Sequence, residues 1–451
     1  LFQSAASLLS GLVPLPPQPL DGAGLAGLRR PLPGLVLVGS HVPLADAQLE
    51  ALLQELVQDL PRRAAPWLPA GLGSRLHWGP PVLPGPGEAQ PLVLSTARLD
   101  RLIEHCVGDF TVTVEAGMPL QALQAELAQQ RQWLAIDWPW GSGPGGDGSG
   151  SVGGLVARGL AGGARQRYLG VRDQLIGIGL MRADGTAARA GGQVVKNVAG
   201  YDLMRLLAGS WGSLALIREL TLRTLPIPPE RRGLWLQGPA GELAAMARWL
   251  LESSLSPERI DWQHTAPSAG AGLDSPASPS GGLLISLASI SPQTLDEQIA
   301  CIRERAPALT LECLDAAGLS RRLGAGLGDG SAAAQPAAPA WLLRLGVRAA
   351  ELPGLLKSPE LAATNWCFAA GSGLGMVWAE PSQLASHQVH QLRRRCSDQG
   401  GYLSVLRQPP GSEIPAWLDA PSRPLIEAIK RQFDPKQQLA RGRLPGVQPQ
   451  A

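Results

Sequence analysis

Residues 141–226 decide the fold. The first part reads GSGPGGDGSGSVGGLVARGLAGGARQRYLGVRDQLIG (141–177), and the second AGGQVVKNVAGYDLMRLLAGSWGSLALIRELTLRTLP (190–226). Between Gly148 and Gly163 nearly every residue is small, and Val152, Leu155, Val156 and Leu160 recur at helical spacing. This predicts a short helix with one buried apolar stripe and a bare glycine face at Gly153, Gly154 and Gly159. Each glycine costs a helix roughly 1 kcal/mol relative to alanine. An offsetting gain is expected, and close approach of the backbone to a flat or anionic ligand supplies one. Further on, Val171-Arg172-Asp173 precede a strand over 175–180, a turn at Ala183-Asp184-Gly185 and a return toward Gly191-Gly192. A helix over 201–208 and the turn Gly209-Ser210-Trp211-Gly212 lead into a strand-like alternation over 214–225.

Composition narrows the class. A chain of 451 residues exceeds one ordinary core, so two domains are expected. Charged residues make up only 17%, and 55 glycines with 41 prolines point to long loops. A net charge of +2, with no basic run interleaved with aromatics, gives no case for nucleic acid. No uninterrupted apolar run reaches the roughly 18 residues of a membrane-spanning helix. The opening LFQSAASLLSGLVPLPP lacks a basic region and an initiator Met, and reads as a loose or truncated terminus, not a signal peptide. Cys106, Cys301, Cys313, Cys367 and Cys396 are odd in number, scattered and without CxxC spacing. Neither a disulfide framework nor an iron–sulfur or zinc site is expected, and the expected location is cytoplasmic.

Upstream, 47–60 has helical periodicity. It is followed by Gly71-Leu72-Gly73-Ser74-Arg75, a turn that either aims several backbone N–H groups at one anion or is an ordinary tight turn. Pro80-Pro81 exclude a Rossmann crossover helix. Residues 91–95 and 110–115 read as strands, and 119–130 as a helix with Pro in its first turn. The run Gly143-Pro144-Gly145-Gly146-Asp147-Gly148 matches G-x-G-x-x-G in form only, because no buried strand precedes it. Arg172 and Asp173 are either a surface pair or a cofactor-adjacent one, and Lys196, Asn197, Tyr201 and Asp202 begin a solvated helix. Composition shifts after Pro226-Ile227-Pro228-Pro229, placing a boundary near Glu230. Beyond it, strands at 233–238, 283–288, 341–347, 365–378 and 402–406 and helices at 241–252, 294–305 and 383–399 suggest a smaller α+β domain. Residues 266–281 and 324–339 read as flexible Ala/Gly/Ser/Pro-rich insertions.

The run SVGGLVARGLAGGARQRYLGVRDQLIG resembles the flavin-contacting region of the vanillyl-alcohol-oxidase (PCMH-type) FAD-binding superfamily. GGQVVKNVAGYDLMRLLAGSWGSLALIRELTLRTLP is similar to one branch of it, the FAD-binding E subunits of glycolate oxidases. The resemblance covers about 32–230 and the chain end, and is weak in between. It implies an α+β fold: a loose segment (1–31), a two-lobed PCMH-type FAD-binding domain (32–230) and an α+β cap domain (231–420). A C-terminal segment (421–451), with Phe433-Asp434-Pro435 and Arg441-Gly442-Arg443-Leu444, would return to the FAD domain.

The resemblance further implies non-covalent FAD held by Gly71, Leu72, Gly73, Ser74 and Arg75, by Ser151, Val152, Gly153, Gly154 and Ala157, and by Gly209, Ser210, Gly212, Ile217 and Arg443. Lys196 would lie beside the isoalloxazine and stabilise negative charge on reduced flavin. The activity implied is oxidation of a small 2-hydroxy acid such as glycolate, in a complex with a homologous catalytic flavoprotein subunit and an iron–sulfur subunit, peripheral to the inner membrane. The alternatives are a stand-alone FAD-dependent dehydrogenase of another small alcohol or acid, and a flavin-free structural subunit. No catalytic residue is assigned. Related catalytic subunits carry a His-rich metal-binding motif in the second domain, whereas 369–378 (AAGSGLGMVW) hold no His or acid. His387 and His390 read as a solvated helix face, so no metal is expected. His77 stands where a covalent flavin anchor is not expected.

Overall fold

Strand pairing begins where β-branched residues alternate. Thr111–Glu115 lies antiparallel to Leu216–Arg223, with Val112 opposite Leu222 and Val114 opposite Leu220. The hydroxyls of Thr113 and Thr221 bond across this pair at 3.0 Å, so the buried polar groups satisfy each other. The full antiparallel sheet runs Leu102–Cys106, Thr111–Glu115, Leu216–Arg223, Leu175–Met181, Ala187–Gly191. All seven residues of Leu175–Met181 are buried. Helices Leu120–Gln129 and Val152–Arg158 share a core with it through Leu123, Leu127, Val152, Val156, Leu220 and Leu222. In this computed structural model the described residues are 35–37, 46–60, 66–82, 84, 91–137, 150–193, 201–266, 281–326 and 341–448. The decoy loop 143–148, Lys196, Asn197 and most of the two Ala/Gly/Ser/Pro-rich stretches lie outside them.

A second, parallel sheet orders Leu35–Leu37, Leu92–Ser95 and Trp67–Ala70. Helix Asp46–Asp59 covers it, burying Leu53 and Val57 with Trp67, Leu92 and Leu94. The largest sheet has eight antiparallel strands, in the order Thr310–Leu314, Glu230–Gln237, Gly281–Ser289, Pro257–His264, Asn365–Ala369, Leu374–Ala379, Trp341–Gly346, Tyr402–Arg407. Helices Ala240–Glu252, Pro292–Arg305 and Ser386–Asp398 bury their apolar stripes against it. The fold is thus a mixture of helices with two larger antiparallel sheets and one small parallel sheet.

Local readings hold where periodicity is strong and fail where burial is long-range. The helix expected over 201–208 shortens to Met204–Leu207, and Tyr201 is exposed. Pro257–His264 (PERIDWQH) does not look like a strand, yet all of it but His264 is buried. Its charges have partners: Glu258 accepts from Arg231 at 2.7 and 2.8 Å and from Ser286 at 2.9 Å, and Arg259 pairs with Asp137. Leu102–Cys106 and Thr310–Leu314 are half-exposed edge strands with little pattern to find.

The chain end returns to the parallel sheet, as the resemblance implies. Trp67 donates its N–H to Gln438 O (2.9 Å), and Ala440 donates to Trp67 O (2.6 Å), so Leu439 sits as a further strand on the open edge of Trp67–Ala70. Lys430, on helix Arg423–Phe433, anchors this return. Its buried Nζ donates to Ser213 O (2.7 Å), Leu439 O (2.7 Å) and Asp434 Oδ2 (2.6 Å), and Leu439 N also donates to that carboxylate (2.8 Å). Removing one partner of a buried ion pair strands the other, so Lys430→Met is expected to lower stability by about 3–5 kcal/mol in chemical denaturation.

Candidate FAD-binding site

Where strand Trp67–Ala70 ends, the chain turns through 71–76 and forms one wall of a cleft. Gly73 has φ +78°, a conformation glycine takes without penalty. A Cβ on Gly71 would fall onto Ser151 Oγ, so only glycine lets the loop lie this close to the next helix. Ser95 Oγ donates to Gly71 O at 3.0 Å and fixes the start of the turn. From behind, Arg443 donates to Leu76 O (3.1 Å) and Trp78 O, and Arg158 Nη2 donates to Arg75 O (2.5 Å). Among the described residues, no partner takes the backbone N–H of Gly71, Leu72, Gly73 or Ser74. With the loop's carbonyls tied down on one side and its N–H groups unbonded, it forms a nest for an anion.

Helix Val152–Arg158 forms the opposite wall, but its glycines play different parts from those read in the sequence. Val152 N donates to Met118 O (3.0 Å), Gly153 N to Ala116 O (2.8 Å) and Gly154 N to the capping Ser151 Oγ (3.1 Å). The helix end is therefore already bonded, and the loop carries the free donors. A Cβ on Gly153 would meet Ala116 at 2.8 Å, so this glycine serves close helix–strand packing. Gly159 (φ +61°) terminates the helix against Gly209. Gly154 alone faces open space apart from Ser151 Oγ at 3.2 Å.

Of the residues anticipated from sequence, Gly71, Leu72, Gly73, Ser74, Arg75, Ser151, Gly153, Gly154, Ala157, Gly212 and Ile217 line the cleft. Val152 lies in the core instead. Gly209 N donates to Val156 O (3.0 Å) and Trp211 N to Ala157 O (2.8 Å), closing the helix C-terminus, and neither Gly209 nor Ser210 lines the cleft. Arg443 is buried behind the loop. Arg172 is exposed, and Asp173 accepts from Gly170 N (3.2 Å) within its own helical turn. Sequence reasoning missed Arg158 and Trp211, both of which line the cleft with the guanidinium carbon 3.9 Å from the ring centroid. The cleft is narrow as it stands, with a cavity volume of about 90 Å³.

The electrostatics favour an anion. Burial drives Arg158 well below the usual arginine range, and neighbouring Arg443 and Arg75 add to the shift. Burial lowers Arg443 to about 10. Among the described residues, neither has a carboxylate partner. His77 is not part of the cleft lining. Burial first, then Arg407, Arg158, Arg75 and Arg443, push it down to about 4, and its Nδ1 is buried without a partner. A depressed histidine contributes stability that is complete above its unfolded value and is lost as pH falls through its folded value. His77→Gln should therefore flatten the loss of stability between pH 6.5 and 4 seen in denaturation curves.

A further buried group holds segment 159–164 between the sheets. Asp137 accepts from Gly162 N (3.1 Å) and Ala164 N (2.7 Å) and pairs with Arg259. Asp261 Oδ2 lies 3.5 Å from Arg259 Nε, and burial raises the Asp261 carboxyl to about 6 despite that arginine. A Cβ on Gly163 would fall onto Asp261. His387 and His390 are exposed on helix Ser386–Asp398. Among the described residues, no three His, Cys, Asp or Glu side chains stand together as metal ligands.

A glycine loop with unbonded N–H groups, two buried arginines (Arg158 and Arg443) without carboxylate partners among the described residues, and a glycine-containing helix across the cleft suit a phosphate-bearing dinucleotide cofactor. Residues 45–191 match the family described as FAD binding domain; the chain carries such a domain, and its cofactor is FAD. The chain is 32% identical over 208 residues to "Glycolate oxidase subunit GlcE" of Escherichia coli, covering 45% of this chain and 55% of that protein. It is 33% identical over 149 residues to "D-2-hydroxyglutarate dehydrogenase" of Xanthomonas citri (33% and 30% covered). It is 31% identical over 166 residues to "Probable D-lactate dehydrogenase, mitochondrial" of Danio rerio (36% and 31% covered). The chain thus spans about half of the first relative and under a third of the other two. A solved structure of alkyldihydroxyacetonephosphate synthase superposes with TM-score 0.63 at 14% identity, over 91% of this chain and 77% of that one, so the fold is shared. Among the described residues, no helix is long and apolar enough to cross a membrane.

Gly154 gives the cleanest test of this cleft. An Asp at this first-turn position suits the helix dipole, so the fold should survive Gly154→Asp. A carboxylate facing the cofactor phosphates costs about 3 kcal/mol, so FAD affinity in equilibrium dialysis should fall roughly a hundredfold.

Proposed function

We propose that this chain is an FAD-dependent oxidoreductase acting on a small 2-hydroxy acid such as glycolate. It would work as a subunit of a glycolate oxidase/dehydrogenase-type complex, beside a homologous catalytic flavoprotein and an iron–sulfur subunit. The observation that carries the reading is the loop of N–H donors unbonded among the described residues, with Arg158 and Arg443 buried behind it without carboxylate partners there, which suits the charge of a cofactor pyrophosphate. The printed names of the relatives, glycolate oxidase subunit and 2-hydroxy-acid dehydrogenases, support the substrate class.

Bound non-covalently, FAD supplies a two-electron acceptor for the substrate's carbon-bound hydrogen. The N–H groups of Gly71, Leu72, Gly73 and Ser74 bind the pyrophosphate, and Arg75 and Arg158 offset its charge. Arg443 holds the loop in register, and Gly154 and Ala157 let the cofactor approach the helix. Lys196, which lies outside the described residues, would stabilise the reduced flavin if the resemblance holds there. The division of labour follows the division of the chain, with 32–230 holding the cofactor, 231–420 covering it and 421–451 locking the two. A cytoplasmic protein, held at the membrane by its partners, fits this reading.

The purified chain, supplied with FAD, should show the visible absorption bands of oxidised flavin. Adding glycolate anaerobically separates the readings. Bleaching in the isolated chain identifies a self-sufficient dehydrogenase, whereas bands that bleach only when the partner subunits are present support the complex. If no flavin is ever retained, the chain is a structural subunit and this proposal falls.

A further inference from the structure

A second cavity of about 570 Å³ lies between segment 158–165 and the strands Trp341–Gly346 and Tyr402–Arg407. Four arginines line it, Arg158, Arg165, Arg344 and Arg393, drawn from widely separated parts of the chain. The carboxylate in its wall, Asp419, already accepts from Arg423 Nη1 (2.6 Å) and Gln448 N (2.7 Å). Arg344 and Arg393 are only 5% and 4% exposed. Arg344 donates to Ala161 O (2.5 Å), tying the cap strand to the segment that leaves the FAD cleft. Arg393 donates to Pro415 O (2.6 Å), but its Nε is buried with no partner, as is Nη1 of Arg158. A buried guanidinium with an unmade hydrogen bond is stabilised by an oxyanion, since charge-assisted bonds are roughly twice as strong as neutral ones.

We propose that this cavity binds a compact carboxylate, with Arg393 Nε and Arg158 Nη1 as its open donors and Arg165 at the rim. Trp211 and Trp417 form an apolar wall, with ring centroids 5.3 Å apart, and Ser404 adds a hydroxyl. This lining suits a small acid with a short carbon body. A pyrophosphate has its match in the adjoining cleft, where the free backbone N–H groups are. Arg158 and Trp211 line both cavities, so an acid held here would abut the cofactor cleft. The proposal rests on the oxidoreductase reading only in naming a 2-hydroxy acid as the expected carboxylate.

Isothermal titration calorimetry of the full chain with glycolate, D-lactate and oxalate, and separately with pyrophosphate and sulfate, tests it. The carboxylates should bind in a 1:1 ratio. Arg393→Gln should weaken them at least tenfold and Arg165→Glu several-fold, with flavin absorbance unchanged. Arg165 is exposed, so its reversal leaves the fold intact even if Arg393→Gln loosens the contact to Pro415. Equal binding of sulfate or pyrophosphate, no saturable binding of any carboxylate, or binding indifferent to both substitutions overturns the proposal. Carboxylate binding that is lost in the variants but never bleaches the flavin, even with the partner subunits present, supports the site and counts against the oxidoreductase reading.

Discussion

The cleft depends on how strand Trp67–Ala70 is gripped. One edge pairs with Leu92–Ser95, and the other is closed by residues 438–440, delivered from the far end of the chain. Two contacts from Arg443 to Leu76 and Trp78, more than 360 residues away, then pin the loop that follows. Closing so long a loop is entropically expensive, though the cost grows only logarithmically with length. The buried Lys430 cluster, with three acceptors around one ammonium, offsets it. The loop 71–76 is therefore a tertiary construction and would not hold its shape in isolation.

Glycine is used here for three separate ends. At Gly73 it permits a positive φ in the turn. At Gly71 and Gly153 it lets protein pack against protein, because a Cβ would meet Ser151 or Ala116. At Gly154 it leaves room beside the cleft. From sequence, Gly153 and Gly154 both read as ligand approach and Gly71 and Gly73 as either an anion-binding or an ordinary tight turn, since composition cannot tell which neighbour takes the vacated volume. The helix N–H groups make the same point: the donors that look free in a glycine-rich first turn are bonded to Met118, Ala116 and Ser151.

What was legible in the sequence was local. The loop 71–75, the helix Val152–Arg158 and the strand Leu175–Met181 announce themselves through turn residues and periodicity, and eleven anticipated cleft residues do line it. The charged strand Pro257–His264 and the cleft residues Arg158 and Trp211 were not legible. Their roles arise from side chains brought together across the fold: Glu258 with Arg231 and Ser286, and Arg158 over Trp211. A charged strand is stable in the middle of a sheet only when each charge has a partner, and those partners lie in other elements.

The same long-range logic bears on how the empty and filled states differ. Among the described residues Arg158 and Arg443 are buried without carboxylates, and His77 beside them is held down to about 4 by burial first and then by Arg407, Arg158, Arg75 and Arg443. Concentrated positive charge in a poorly solvated site is unfavourable without a counter-charge, and it strengthens the attraction to an incoming anion. Because Arg158 and Arg443 also hold the loop carbonyls, binding of a pyrophosphate and docking of the chain end stabilise each other. By mass action, FAD bound there would also be a folding ligand.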